Sequence, residues 1–229
     1  MGFKDWFRGR KKAGKPGARP APAPQEKADR LNALVAIGCS IKNYSFSAAR
    51  PFLAARHGTN TFISPRVLYY EADQLFLTAR KLAREIGDKK KEAEILYHWA
   101  QLQHRPPSKG ITLAAPKSVD ELVDIVRSKK SGDPDGGESP GEAPVQSMPE
   151  LALPFFLEAI PLAEQTGHHV VAVASLLYAA QIYRGRGDTA NYLAQMEELH
   201  RKMMRIVEAK TPLPQWLLNE IREHEGAGA

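Results

Sequence analysis

The chain has 229 residues, of which 43% are hydrophobic and 25% charged, so it can bury a core in one or two domains. Its formal net charge is +6, from 32 basic and 26 acidic residues. Seven of the bases and one acid lie in residues 1–19, which leaves 25 of each sign to cancel in the rest. This balance disfavours a basic nucleic-acid-binding fold for the body of the protein.

The single cysteine, Cys39, excludes an internal disulfide framework and a cysteine-rich zinc site. It lies in an apolar run, which favours a packed core residue over a reactive thiol. No apolar stretch approaches the ~18 residues that span a bilayer, and no secretory signal is evident. We therefore expect a cytoplasmic protein, with a peripheral position at the inner membrane surface if its basic terminus binds lipid.

Residues 1–25 are predicted to form a basic amphipathic tail followed by a linker rich in Pro and Ala. The tail places three aromatic side chains on one helical face, with basic residues beside them, an arrangement that suits an interfacial membrane anchor. Docking in a partner's groove, nucleic-acid binding by charge and a merely solubilising terminus are the alternatives. The candidate tail residues are Phe3, Trp6, Phe7, Arg8, Lys11 and Lys12.

Residues 26–128 are predicted to form an N-terminal helical region. Ser64 followed by a proline is typical of a helix start, and Gly87 is typical of a helix end. Asn43 and Tyr44 suggest a turn within the first helical stretch, and Pro51 fits the first turn of a short helix. We expect a loop over 58–64 and helices over 27–57, 65–86, 89–103 and 118–128.

Residues 129–148 are dense in Gly, Pro, Ser and acids, so they are predicted to be a disordered acidic linker. Helical periodicity returns in the C-terminal region, 149–229, and Gly167 and Gly187 interrupt it. The predicted helices there cover about 149–166, 170–184, 189–209 and 214–224.

Two segments of the chain repeat each other at a constant offset of 80 residues. The first contains Ala72, Phe76, Ala79, Leu82, Ala83 and Gly87, and the second contains Ala152, Phe156, Ala159, Leu162, Ala163 and Gly167. The match continues past the turn, where Leu96 corresponds to Leu176 and Ala100 to Ala180. The small residues and the Phe share one helical face, so each copy predicts a helical hairpin whose two helices pack closely. Such a hairpin cannot bury its outer face alone and is expected to stack on neighbouring hairpins.

These segments resemble the tetratricopeptide repeats, whose second helix carries the pattern Ala-x3-Phe-x2-Ala. The stretches Glu92–Ala100 and Leu176–Tyr183 resemble the first helix of that family. The resemblance implies an all-α fold in which antiparallel hairpins stack as a short α-solenoid. The family's commonest period is ~34 residues, whereas Ala152 to Tyr192 spans 40, and the offset of 80 suggests two such steps, with an interrupted middle unit at 105–148.

The resemblance further implies a non-catalytic adaptor that binds a partner polypeptide in its groove, without a cofactor, a metal or a small-molecule substrate. The candidate partner-binding residues are Tyr97, Gln101, His104, Tyr178, Gln181 and Arg184. The alternative is a regulatory nucleic-acid-associated protein that acts through the basic tail. No His pair has metal-ligand spacing, and no nucleophile–base constellation is evident, so an enzyme is not predicted.

Overall fold

The computed structural model describes residues 24–113 and 145–226. In these residues the helices are α1 (Pro24–Lys42), α2 (Arg50–His57), α3 (Pro65–Ile86), α4 (Lys89–His104), α5 (Pro149–Gln165), α6 (His169–Gly185), α7 (Thr189–Glu208) and α8 (Gln215–Gly226). The strands are β1 (Thr61–Ile63) and β2 (Ile111–Leu113). The predicted all-α class is therefore confirmed. The predicted tail, the predicted helix over 118–128 and the linker up to residue 144 lie outside the described residues.

The local signals in the sequence place the helix boundaries correctly. Ser64 caps α3 by accepting a hydrogen bond from the backbone N–H of Val67 at 3.4 Å. Gly87 ends the same helix with φ of 74°, a left-handed conformation that glycine adopts without a steric penalty. The turn predicted at Asn43 and Tyr44 is present and separates α1 from α2, which carries Pro51 in its first turn.

The loop predicted over 58–64 is wrong for three of its residues, because Thr61–Ile63 forms β1. This strand pairs antiparallel with β2, and Ile63 lies opposite Ile111. Both isoleucine side chains are buried in the core. The small sheet thus ties the segment before α3 to the segment after α4.

Each long helix packs antiparallel on the next one, in the order α1, α3, α4, α5, α6 and α7. Helix α4 also contacts α1 on one side and α6 on the other. Helices α1, α4 and α6 therefore line one side of an α-solenoid, and α3, α5 and α7 form the other layer. Helix α8 packs against α6 beyond the last hairpin.

The repeated alanine and phenylalanine residues form the contacts between the layers, as their spacing predicts. All eight are fully buried: Ala72, Phe76, Ala79, Ala83, Ala152, Phe156, Ala159 and Ala163. Helix α4 joins the two halves of the core, since Ala93 and Leu96 pack towards α5 and α6, whereas Ile95 packs towards α1 and α3. The stack of Trp99 on Phe155, with ring centroids 4.4 Å apart, extends the join from α4 to α5.

The expectation of an interrupted middle unit at 105–148 is wrong, because α4 and α5 pack directly on each other. The 44 residues between His104 and Pro149 are an insertion between two neighbouring helices. Removing them from the offset of 80 leaves 36, close to one period of ~34 residues rather than two. The two ends of the insertion lie side by side, since the N–H of Met148 donates to the carbonyl of Gln103 at 2.8 Å.

Candidate functional site

A cleft of about 460 Å³ opens on the side of the solenoid that α1, α4 and α6 line. Three of the six predicted partner-binding residues line it: Tyr97, Gln101 and Tyr178. The other lining residues are Lys42, Asn43, His98, Arg105, Trp216 and Glu220. A volume of this size lies within the ~300–1,000 Å³ that is usual for ligand pockets.

Aromatic rings from three helices form the floor of the cleft. The ring centroids of Tyr97 on α4 and Tyr178 on α6 are 6.2 Å apart. Phe156 on α5 stacks on Tyr178 with centroids 5.3 Å apart and an interplanar angle of 16°. Burial raises the pKa of both tyrosine hydroxyls, so each stays protonated and can both donate and accept a hydrogen bond.

Gln101 lies at the centre of a polar network in the cleft. Its Nε2 donates to the hydroxyl of Tyr97 at 2.7 Å, and its Oε1 accepts from Nζ of Lys42 at 2.7 Å. The ring Nδ1 of His98 lies 3.4 Å from the same Oε1. The side-chain amide therefore has a fixed orientation, with its oxygen directed at a cation from α1.

The charges in the cleft are unevenly compensated. Lys42 is half-buried, and burial, followed by the nearby charge of Arg105, lowers the pKa of its ammonium. Among the described residues, no carboxylate lies within ion-pair distance of Lys42. Arg105 lies over the ring of Tyr178, with its guanidinium carbon 5.4 Å from the ring centroid, and its Nη1 is 3.7 Å from Oε1 of Glu220.

His98 adds a polar group without a charge at neutral pH. Burial, and secondarily the charge of Lys42, lowers the pKa of its imidazole to about 4. The neutral ring can serve as a donor at one nitrogen and an acceptor at the other. At neutral pH the cleft thus contains two cations, one carboxylate and the uncharged polar groups of Asn43, Gln101, His98, Tyr97, Tyr178 and Trp216.

The other three predicted residues do not line the cleft. His104 packs edge-on against Tyr178 with ring centroids 6.2 Å apart. Gln181 is half-buried on α6, one turn beyond Tyr178. Arg184 is exposed and donates to the carbonyl of His224 on α8 at 3.3 Å. Helix α8 lies against the end of α6, so Arg184 contacts α8 rather than the cleft.

Sequence reasoning missed the contributions of α1 and α8 to the cleft. Lys42 is the last residue of α1. Basic residues are common in the last turn of a helix, where they interact favourably with the helix dipole, so this position alone does not indicate a binding role. Trp216 and Glu220 come from α8, which the periodicity predicts as a helix without indicating where it docks. The spacing of four residues between Trp216 and Glu220, which puts both on one helical face, was the available signal.

No group of three or more His, Cys, Asp or Glu residues within 24–113 and 145–226 could hold a metal ion. None of the helices in these ranges has the length and apolarity needed to cross a membrane. The predicted tail residues Phe3 to Lys12 lie outside the described part of the chain.

Comparison of this chain with protein-family models, with curated proteins and with solved structures yields no match.

Proposed function

We propose that this chain is a non-catalytic scaffold of the tetratricopeptide type, which binds a partner polypeptide in the cleft between α1, α4, α6 and α8. The observation that carries the proposal is the convergence of Tyr97, Gln101 and Tyr178 on one open cleft. These residues come from two helices that are about 80 positions apart in sequence. The resemblance of the two repeats predicts all three as partner-binding residues.

The chemistry of the cleft suits a polypeptide guest. Trp216 at the edge of the cleft is 44% exposed and supplies apolar contact area, above a floor formed by the buried rings of Tyr97 and Tyr178. The amide of Gln101 and the imidazole of His98 match the alternating donors and acceptors of a peptide backbone. Aromatic anchors surrounded by polar groups are the usual composition of the energetically dominant part of a protein interface.

The proposal includes a tether. The basic amphipathic residues 1–12 precede a linker rich in Pro and Ala, and such linkers act as extended spacers. We propose that the tail holds the scaffold at an anionic membrane surface while the cleft remains free for its partner.

Site-specific photocrosslinking tests the proposal. A benzophenone amino acid replaces Trp216 at the edge of the cleft in one variant of the full chain. It replaces Met204 on α7, which is 62% exposed and lies outside the cleft, in the control variant. In living cells we expect a discrete crosslinked polypeptide from position 216 and none from position 204. Crosslinking from position 204 alone, or from neither position, would count against the proposal.

A further inference from the structure

Lys42 has unused capacity for hydrogen bonding inside the cleft. Its ammonium carries three N–H donors, and the described residues supply it with one acceptor, Oε1 of Gln101. The side chain is half-buried, and no carboxylate in the described residues pairs with it. Because a partly desolvated cation is unfavourable without an anion, an incoming carboxylate would find a favourable position beside Lys42.

Arg105, the second cation of the cleft, already has such an anion, and α8 supplies it. Glu220 places Oε1 3.7 Å from Nη1 of Arg105. The side chain of Arg105 is 62% exposed, so the ion pair is weak because water solvates the guanidinium. A second carboxylate that entered from solvent could therefore replace Glu220 beside Arg105.

Helix α8 can present Glu220 to the cleft while remaining docked. Leu217 and Ile221, one helical turn apart, are buried in the core and fix the helix. Trp216 and Glu220, at the neighbouring positions, line the cleft. The carboxylate and the indole of α8 thus lie where side chains of a bound polypeptide would lie. Exchange at Arg105 requires the Glu220 side chain to leave both the guanidinium of Arg105 and the hydroxyl of Tyr178, with which it is hydrogen-bonded.

We infer that the cleft binds an acidic segment of its partner between Lys42 and Arg105, and that Glu220 is an internal competitor for that acid. This inference rests on the proposed function and specifies both the chemistry of the partner and a regulation of the same site. Neutralising Glu220 should then strengthen binding of the acidic segment, although it changes a residue that lines the cleft.

The test measures binding of short peptides to the full chain by fluorescence anisotropy. The probes are three labelled octapeptides in which alanine alternates with glutamate, glutamine or lysine, each with the same neutral fluorophore. We expect the chain to bind the glutamate peptide and to bind the other two at least tenfold more weakly, with the difference shrinking at high salt. Equal binding of the glutamate and glutamine peptides would overturn the inference.

Two pairs of variants separate the roles of the charged residues. Glu220→Gln should tighten binding of the glutamate peptide about fivefold, since it removes the competing carboxylate. Glu223→Gln, an exposed position on the same helix, should leave it unchanged. Lys42→Gln should weaken binding on the order of tenfold, whereas Lys81→Gln, exposed on α3, should not. Unchanged or weaker binding by Glu220→Gln would overturn the competitor role.

The outcome also separates this inference from the proposed function. Circular dichroism first establishes that each variant has the helix content of the wild-type chain. If position 216 crosslinks to a polypeptide but the chain does not prefer the glutamate peptide, the inference about acidity fails and the scaffold proposal stands. If both experiments are negative, both fail.

Discussion

Gly38 on α1 lies directly against the ring of Phe76 on α3. A Cβ atom built on Gly38 would stand 2.9 Å from Cε1 of that ring. Phe76 is fully buried, so its ring can shift only by displacing its neighbours in a close-packed core. The close approach of α1 to α3, which brings Lys42 to the edge of the cleft, therefore depends on the missing side chain at Gly38.

In Gly38→Ala the added methyl group overpacks the contact with Phe76, which costs about 1–3 kcal/mol of unfolding free energy. Because alanine stabilises a helix interior by up to ~1 kcal/mol relative to glycine, we expect a net loss of up to about 2 kcal/mol. Urea unfolding followed by circular dichroism measures the difference. Gly185→Ala, where a Cβ would meet no atom within 4 Å, is the matched control and should not lose stability. Equal stability of the two variants would contradict the close packing described here.

Phe156→Ala should cost about 3–5 kcal/mol of unfolding free energy, since it removes a fully buried ring from the core. Leu151→Ala, at a position that is 53% exposed on the same helix, should cost less than ~0.5 kcal/mol. Because Phe156 stacks on Tyr178, we also expect Phe156→Ala to bind the labelled glutamate peptide less tightly. Thermal and urea denaturation with both variants test the first expectation, and peptide anisotropy tests the second.

Stability should fall as the pH is lowered from 7 towards 4, and His98 should account for part of the loss. Its pKa in the folded protein is about 4, below the ~6.5 of the unfolded chain. Between these values the unfolded state binds a proton that the folded state does not, so unfolding becomes easier as the pH falls. The charged groups that act on His98 are Lys42, Glu94 and Lys91.

The maximum slope from this one residue is about 1.4 kcal/mol per pH unit. His98→Gln should reduce the slope of stability against pH between 6.5 and 4.5, as measured by urea unfolding at each pH. His169→Gln, at an exposed position, serves as the control. An unchanged slope in His98→Gln would show that its imidazole is not shielded from water as the structure places it.

The tail should bind membranes in a charge-dependent manner. We expect the full chain to float with vesicles that contain anionic lipid, and the variant lacking residues 1–19 to stay in solution. Vesicles of neutral lipid should recover little of either protein. If the full chain bound duplex DNA with strong salt dependence and did not bind vesicles, the nucleic-acid alternative would replace the membrane tether.

Most of the helices could be predicted from the sequence because their ends carry strong local signals. Gly87 and Gly167 have positive φ, which a glycine after a periodic helical stretch predicts. The alanine and phenylalanine faces were predictable for a different reason. Small residues at helical spacing have few uses other than close contact between helices, and two copies at one offset made coincidence improbable.

The features that could not be predicted depend on contacts between distant segments. Strand β1 has three residues, and its partner β2 lies some 50 residues later, so neither shows a usable alternation of its own. The middle unit expected at 105–148 is wrong because an offset of 80 equals two steps of 40 residues as well as one step of 36 plus 44 inserted residues. The docking of α8, which brings Glu220 to Arg105, is set by burial of Leu217 and Ile221 against helices that precede it in the chain.

Amide hydrogen exchange on the full chain, alone and bound to the polypeptide that crosslinks at position 216, tests directly whether the partner occupies the cleft. We expect binding to slow exchange at the C-terminal end of α4, around residues 97–105, and in α8, while exchange along α7 stays the same. Slowed exchange confined to α7 or to α2, with the cleft unaffected, would contradict this expectation.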